Sequence, residues 1–302
     1  MPCTVKRAMA GALAVLIAAA GTTVVHAEKL LPAQAAADAK AVRLAPISPW
    51  VVDYDDNKCS LLRTFGSEED KHILMLDQGA PDSSILMGMA GSAVKPFQRT
   101  GRIHLGTFAD KPLELVKNPS YGDLELYGPA VMLSIFMREG EWEPGARVQP
   151  SKAQEAAAGV DRIVIRRGSK ILSYETGNLK EPFVVMHDCL TNLLTSWGLD
   201  AAEHAHYTPP ALTNENAVAR KLFETYPPDA LEAGEQGSFR VRLIVEKDGS
   251  ISDCFVEEAT KVDDLRPAVC KEMLRSKFVP ALGVDGQPIR SFYVTMITYR
   301  VS

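Results

Sequence analysis

The sequence predicts an α+β protein in which a β-rich N-terminal domain is followed by a small C-terminal domain. Two observations support this fold class. Short apolar runs broken by Gly, Asp and Pro recur through the first half of the chain, which is typical of strands joined by turns. Near the C-terminus, patterns of strand, strand, helix and strand follow in that order, which predicts a three-stranded antiparallel sheet with a helix packed on one face.

The composition is that of a folded globular protein. The chain has 302 residues, of which 46% are hydrophobic and 24% charged, and its formal charge is −5. This length predicts two domains, each able to bury a full core. The negative charge and the lack of a basic run argue against a nucleic-acid partner, because binding to phosphates needs a basic surface.

The start of the chain has the layout of a secretory signal peptide over residues 1–27. Lys6 and Arg7 precede an apolar run over 9–25, and Val25 and Ala27 are small residues before Glu28. We therefore expect cleavage after Ala27 and export of the mature protein. The alternative is an uncleaved membrane anchor, since the run is just long enough to span a bilayer. The Ala-rich stretch over 28–44 is expected to be a flexible tail.

The N-terminal domain is predicted over 45–199 as a set of short strands with one helix. The helix is indicated over 182–197, where apolar residues recur on one face and Gly198 provides a stop. The stretch 200–216 has no apolar periodicity and contains a Pro-Pro pair, so we expect a linker there. The predicted strands are 50–54, 59–65, 72–76, 84–89, 102–107 and 163–167.

The C-terminal domain, predicted over 217–302, has the clearest local patterns. Apolar and polar residues alternate over 239–246, which is the period of a half-buried strand. Asp248-Gly249 follows and predicts a hairpin with a type I′ turn. Asp263-Asp264 can cap the next helix, and Pro267 fits its first turn. The final strand is predicted over 292–301.

These landmarks resemble the TonB C-terminal domain. The resemblance covers residues from about 214 to 302, and it departs from the family pattern at Thr260-Lys261, where Ser-Gly is common, and at Leu265-Arg266, where Leu-Asp is common. Both departures fall in the loop before the helix. The residues that carry the resemblance are Tyr226-Pro227, Ala230, Gly237, Asp248-Gly249, Phe278-x-Pro280-Ala281 and Gly286-Gln287-Pro288.

The resemblance implies a periplasmic, non-enzymatic protein that binds an extended peptide of an outer-membrane transporter as an added strand. In such binding the backbone of an edge strand provides affinity and alternate side chains provide specificity. By analogy the edge is the final strand, over 290–301. The implied binding residues are Arg290, Tyr293, Thr295, Ile297 and Tyr299. The resemblance implies no cofactor, and a homodimer stays open.

Two alternative functions compete with this interpretation. One is a membrane-anchored TonB-type energy transducer that keeps its N-terminal segment. Such transducers resemble one another in a membrane helix with Ser and His and in a Pro-rich spacer, and this sequence has neither. The other alternative is an envelope enzyme with a site in the N-terminal domain.

Two short patterns in the N-terminal domain could carry enzyme chemistry. Asp77-Gln78-Gly79-Ala80 is similar to an aspartic-peptidase motif, but Gln replaces the required hydroxyl residue, so we expect a turn. His187-Asp188-Cys189 combines a thiol with a base, yet neighbours on a helix point apart. We expect no catalytic residues in either pattern.

Two further patterns could bind metal ions. Glu203-His204-Ala205-His206 offers a carboxylate and two imidazoles, but the predicted linker supplies no third fixed ligand, so we expect a solvated segment. Glu257-Glu258 with Asp263-Asp264 is acidic but lacks the regular oxygen spacing of a calcium loop. We expect a solvated loop there, and no metal site.

The cysteines predict two disulfides. Cleavage would remove Cys3 and leave an even number, which in an oxidising compartment indicates disulfide bonds. Cys254 falls on the second C-terminal strand and Cys270 on the helix packed over it, so they are expected to pair. Cys59 and Cys189 would then connect an early strand of the first domain to its late helix.

Overall fold

The computed structural model describes residues 40–81, 84–98, 102–106, 114–116, 119–135, 137, 150–225, 228, 232, 237–258 and 266–299. The predicted signal peptide, Cys3 and most of the predicted tail lie outside these residues. One compact unit comprises Val42–Ser302. Among the described residues, no helix is both long and apolar enough to cross a membrane.

Most of the regular structure consists of strands, with four α-helices in the described residues and a 3-10 helix at Ser92–Phe97. The helices are α1 (Pro150–Ala158), α2 (Lys180–Ser196), α3 (Glu215–Glu224) and α4 (Arg266–Met273). The strands are β1 (Val42–Leu44), β2 (Val51–Tyr54), β3 (Cys59–Gly66), β4 (Lys71–Gln78), β5 (Ile85–Ala90), β6 (His104–Gly106), β7 (Glu114–Leu115), β8 (Ser120–Leu124), β9 (Gly128–Ile135), β10 (Ile163–Arg167), β11 (Lys170–Tyr174), β12 (Ala211–Leu212), β13 (Gly237–Val245), β14 (Ile251–Glu258), β15 (Phe278–Val279), β16 (Ala281–Leu282), β17 (Pro288–Ile289) and β18 (Ser291–Tyr299).

Two sheets form the N-terminal region. A six-stranded antiparallel sheet has the order β2-β3-β4-β5-β9-β8, and a five-stranded sheet has the order β1-β11-β10-β6-β7. Phe65 on β3 meets Tyr174 on β11 edge to face, with ring centroids 5.1 Å apart, and both side chains are fully buried. One hydrophobic core therefore lies between the two sheets, and the buried face of α2 joins it through Phe183 and Met186.

The C-terminal region is a three-stranded antiparallel sheet with the order β14-β13-β18. The alternating residues of β13, Phe239, Val241 and Leu243, are fully buried and pack with Val269 of α4 and Val218 of α3. The β-rich N-terminal region and this sheet with its helices confirm the predicted α+β class. The predicted helix cap at Asp263-Asp264 lies outside the described residues.

The first C-terminal hairpin forms as predicted, but its turn is of another kind. The amide of Gly249 donates to the carbonyl oxygen of Glu246 at 2.9 Å, so Lys247 and Asp248 are the central turn residues. Gly249 then takes a φ of +82°, and a Cβ at this position would collide with the carbonyl oxygen of Phe278. The prediction of a type I′ turn centred on Asp248-Gly249 is therefore wrong by one residue.

Two segments are more ordered than the sequence indicated. Val42–Leu44, assigned to the flexible tail, form β1, which pairs in parallel with β11. Within the predicted linker, Ala211–Leu212 form β12, which pairs with β15, and α3 starts at Glu215. These short segments show no periodicity because distant strands, rather than their own sequence, supply their hydrogen-bond partners.

Candidate functional site

The predicted peptide-binding strand lies at one edge of the C-terminal sheet. β18 pairs with β13 along its whole length, from Val245 opposite Ser291 to Gly237 opposite Tyr299. Among the strands that the structure describes, β13 is the only one paired with β18. An edge strand of this kind has a row of backbone N–H and C=O groups on its outer side, and these can pair with another chain.

The side chains of β18 alternate between two covered faces. Tyr293 packs on the helix side, where its ring centroid is 5.0 Å from that of Phe278, and Ile297 packs against the same core. Thr295 shares this face by alternation and is half-buried. The side chain of Tyr299 lies outside the described residues. The structure therefore uses at least Tyr293 and Ile297 to hold β18 on the domain.

Arg290, the first residue of the predicted binding strand, is engaged within the chain. Its Nε donates to Glu246 at 2.9 Å, and its Nη1 donates to the carbonyl oxygens of Trp197 at 3.1 Å and Gly198 at 2.9 Å. These carbonyls follow the end of α2, where the helix dipole favours a cation. Arg290 thus connects the start of β18 to the N-terminal region.

The other face of the C-terminal sheet packs against the N-terminal region. Ile244 and Phe292 form a buried cluster with Ala80, Leu194 and Leu199. These five side chains are apolar and buried, so the C-terminal sheet is covered on both of its faces. In the described part of this sheet, β14 and β18 are the edge strands to which a further strand could be added.

Arg242 reinforces this contact from the centre of the sheet. Its guanidinium lies 4.4 Å from the ring centroid of Trp197, and its Nη1 donates to Oδ1 of Asn57 at 2.8 Å. Its Nη2 also pairs with Asp253 at 3.0 Å. The arginine side chain is 12% exposed, so its contacts with Trp197 and Asn57 are largely shielded from water, whereas its partner Asp253 is 52% exposed.

Four charged side chains form a second contact between the two regions. Lys58 lies 2.6 Å from Glu257 and 3.8 Å from Asp77, and Arg240 pairs with Glu257 at 2.5 Å. Burial raises the pKa of Asp77, although Lys58 and the hydroxyl of Ser60 oppose this effect. For Lys58, burial is the largest single influence and lowers the pKa. The hydrogen bond to Glu257 and the charge of Asp77 together outweigh it, so the pKa of Lys58 is raised.

This charge cluster corrects two expectations. Asp77 and Gln78 are the last residues of β4, so the expected turn starts only at Gly79, and Asp77 is only 4% exposed. Glu257 lies on β14 with two cationic partners rather than in a solvated loop. Sequence reasoning missed the cluster because its members are far apart along the chain and only the packing of the two regions brings them together.

The other two patterns are structural as well. Cys189 is bonded to Cys59, and Cys254 to Cys270, the two pairs that the sequence predicted. The expectation of a solvated segment is wrong for His204, which is 5% exposed, although His206 is exposed. In the described part of the chain, no group of three His, Cys, Asp or Glu side chains is placed to hold a metal ion.

A serine, a histidine and an aspartate meet beside a small cleft in the N-terminal region. Ser92 Oγ donates to Asp70 Oδ2 at 3.0 Å, while His72 Nε2 lies 3.5 Å from the same hydroxyl. The amide of Ala93 donates to His72 Nε2 at 3.0 Å, and His72 Nδ1 lies 3.1 Å from the Asp70 carbonyl oxygen, to which it donates. The basic nitrogen is therefore already occupied, so His72 is not placed to activate Ser92 as a nucleophile.

Comparison with known proteins identifies one part of the chain. Residues 224–301 match the family model described as Gram-negative bacterial TonB protein C-terminal. No curated protein matches the chain. The matched residues contain the sheet of β13, β14 and β18 together with α4. Residues 224–301 are therefore similar to the TonB C-terminal domain, as the resemblance in the sequence predicted.

Proposed function

We propose that this protein is an exported, periplasmic and non-enzymatic interaction protein whose C-terminal domain binds an extended peptide of an outer-membrane transporter. The peptide adds as a strand to β18. TonB C-terminal domains interact with proteins such as outer-membrane transporters, which supports the partner class. The single observation that carries the binding mode is the position of β18 at the sheet edge.

The geometry supports backbone pairing more than side-chain capture. Tyr293 and Ile297 pack into the domain core, and Arg290 is bound to Glu246 and to the end of α2. What β18 can offer a partner is chiefly its backbone, and this is the source of affinity in strand addition. Each region has a hydrophobic core of its own, which supports the proposed division into an N-terminal and a C-terminal domain, although a smaller buried cluster joins the two.

A pair of proline variants tests the binding mode. In an antiparallel strand both backbone groups of one residue point to one neighbour, and those of the next residue point to the other side. Of Thr295→Pro and Met296→Pro, one therefore removes an inward hydrogen bond to β13, and the other removes an outward donor. The outward variant should keep the fold, because proline is tolerated at an edge when its nitrogen faces away from the sheet.

The measurement is fluorescence anisotropy with labelled synthetic peptides that cover the periplasm-facing plug segment of a TonB-dependent outer-membrane transporter. The full chain should bind such a peptide, and the fold-preserving proline variant should bind it up to about tenfold more weakly, the loss of roughly one good hydrogen bond. A shuffled peptide is the control. Equal affinity of the outward variant and the wild type would exclude strand addition to β18.

Fractionation with N-terminal sequencing tests the location. The proposed protein is found in the periplasmic fraction and starts at Glu28. A membrane-bound product that starts at Met1 would instead support the anchored energy transducer.

A further inference from the structure

The start of β18 is held by a histidine from the segment that follows α2. His204 is 5% exposed, and Ser291, the first residue of β18, is fully buried. His204 Nδ1 lies 2.6 Å from the carbonyl oxygen of Asp200, to which only a protonated nitrogen can donate. In the neutral ring Nε2 carries the lone pair and accepts the hydroxyl hydrogen of Ser291, 3.0 Å away. A cationic ring would instead donate from both nitrogens, with the Ser291 hydroxyl as acceptor, so burial of the ring is what favours the neutral form.

Aromatic rings surround this hydrogen bond. The imidazole centroid is 4.8 Å from the ring of Tyr207 and 5.7 Å from that of Phe292, and Trp197 packs on Phe292 at 6.1 Å. The wall that covers Ser291 and Phe292 therefore consists of residues from the end of α2 and from the segment after it. Because His204 is only 5% exposed, a charge on the imidazole would be poorly solvated.

The charged groups around His204 oppose this effect only in part. Asp200 and Glu203 lie on its own turn and are exposed, and their charges favour the protonated ring. Arg290 approaches along the chain that leads into β18, but its guanidinium is paired with Glu246 and with the carbonyls after α2. Arg242, on the other side of Trp197, is paired with Asp253. The net result of burial is that the pKa of His204 is lowered.

We propose that His204 is a positioning residue for the β18 edge, which it holds in the sheet while its ring is neutral and loosens when acidification protonates it. This inference rests on the proposed function, in which β18 is the binding edge. Protonation places a hydrogen on Nε2, so Nε2 can no longer accept from Ser291. The Ser291 hydroxyl must turn to accept instead, and a cation is left among the rings.

Amide hydrogen exchange of the full chain, without any peptide, tests the proposal. The experiment compares protection over 290–294 at about pH 7.5 and about pH 5.5, which lie on either side of the ordinary histidine pKa of about 6.5. After correction for intrinsic exchange, protection in the wild type should fall at the lower pH by up to about tenfold. That limit is the ratio of protonated to neutral histidine in the opened, solvated segment, one unit below the ordinary pKa.

Two variants separate His204 from general acid effects. His204→Gln keeps a side chain that can donate and accept but does not titrate in this range, so it should remove the pH dependence. His206→Gln changes an exposed histidine two residues away and should retain it. Equal wild-type protection at both pH values, or full pH dependence in His204→Gln, would overturn the proposal.

A wild-type titration covers the case in which His204→Gln fails to fold. In NMR spectra of the histidine rings, the His204 signal should stay that of the neutral form at about pH 6.5, where an unperturbed histidine is half protonated. A His204 ring that is already half protonated at about pH 6.5 refutes the proposal. Neither measurement includes a peptide, so failure of peptide binding would leave these results unchanged, and their failure would not affect the peptide test.

Discussion

Removing the two disulfides one at a time should cost very different amounts of stability. The Cys59–Cys189 bond closes a sequence separation of 130 residues, whereas Cys254–Cys270 closes 16. In the chain-entropy model the stabilisation grows with the logarithm of the loop length, which gives about 5 kcal/mol for the long loop and about 3 kcal/mol for the short one. The long-range bond should therefore contribute about 2 kcal/mol more.

Packing increases the difference in the same direction. Cys59 and Cys189 are 0% and 1% exposed, while Cys254 and Cys270 are only partly buried. Replacing the fully buried pair by alanine frees the loop in the unfolded chain and also leaves a cavity in the core. The cavity lowers the free energy of unfolding further.

Urea unfolding of the two double-alanine variants measures this difference. Each variant keeps the other disulfide, so each serves as the control for the other. The slope of the unfolding free energy against urea must be compared as well, because a changed slope signals a changed unfolded state. If the Cys254→Ala/Cys270→Ala variant loses as much stability as the Cys59→Ala/Cys189→Ala variant, or more, the loop-entropy reasoning is wrong for this protein.

Three further predictions concern single side chains. Glu257→Gln removes the anion shared by buried Arg240 and partly buried Lys58 and should cost about 2 kcal/mol of unfolding free energy in urea. Glu68→Gln, whose side chain is 75% exposed, should leave that free energy unchanged. Gly249→Ala and Gly286→Ala both place alanine at positive φ, but only the Cβ added at 249 meets a backbone oxygen. The melting temperature of Gly249→Ala should therefore fall clearly further than that of Gly286→Ala. Equal losses would contradict the predicted collision. Burial lowers the folded-state pKa of His204, so the stability that the neutral ring contributes is complete above pH 6.5 and is lost as the pH falls below it. The unfolding free energy of the wild type relative to His204→Gln should therefore decline in acid. Parallel pH profiles for the two proteins would be evidence against this prediction.

The N-terminal region shows where local patterns are sufficient and where they fail. The helix over 182–197 and the strand over 163–167 were predictable because apolar residues repeat with the period of the element. β9 was not predicted, because its sequence Gly-Pro-Ala-Val-Met-Leu-Ser-Ile does not alternate cleanly between apolar and polar residues. A strand paired on both sides in a sheet gains its stability from its neighbours, and the sequence of one strand does not show those neighbours.

The candidate site also has features that the sequence predicts and features that it does not. The edge position of β18 follows from local strand and helix signals together with the family resemblance. The roles of Arg290, Tyr293 and Ile297 could not be predicted, because alternation assigns residues to a face without showing what covers that face. His204 is the clearest case, since a stretch with a Pro-Pro pair and no periodicity indicates a solvated linker, whereas tertiary contacts bury its histidine.

By itself the sequence determined the α+β class, the two disulfide pairs and the TonB-like C-terminal sheet. These follow from periodicity, turn residues and the order of cysteines, which are all local or counted along the chain. Only the tertiary structure decided that the sheet packs against the N-terminal region through Phe292, Arg242 and the cluster around Glu257. The physical reason is that burial and charge pairing depend on distance in space, and residues such as Asp77 and Arg240 become neighbours only when the chain has folded.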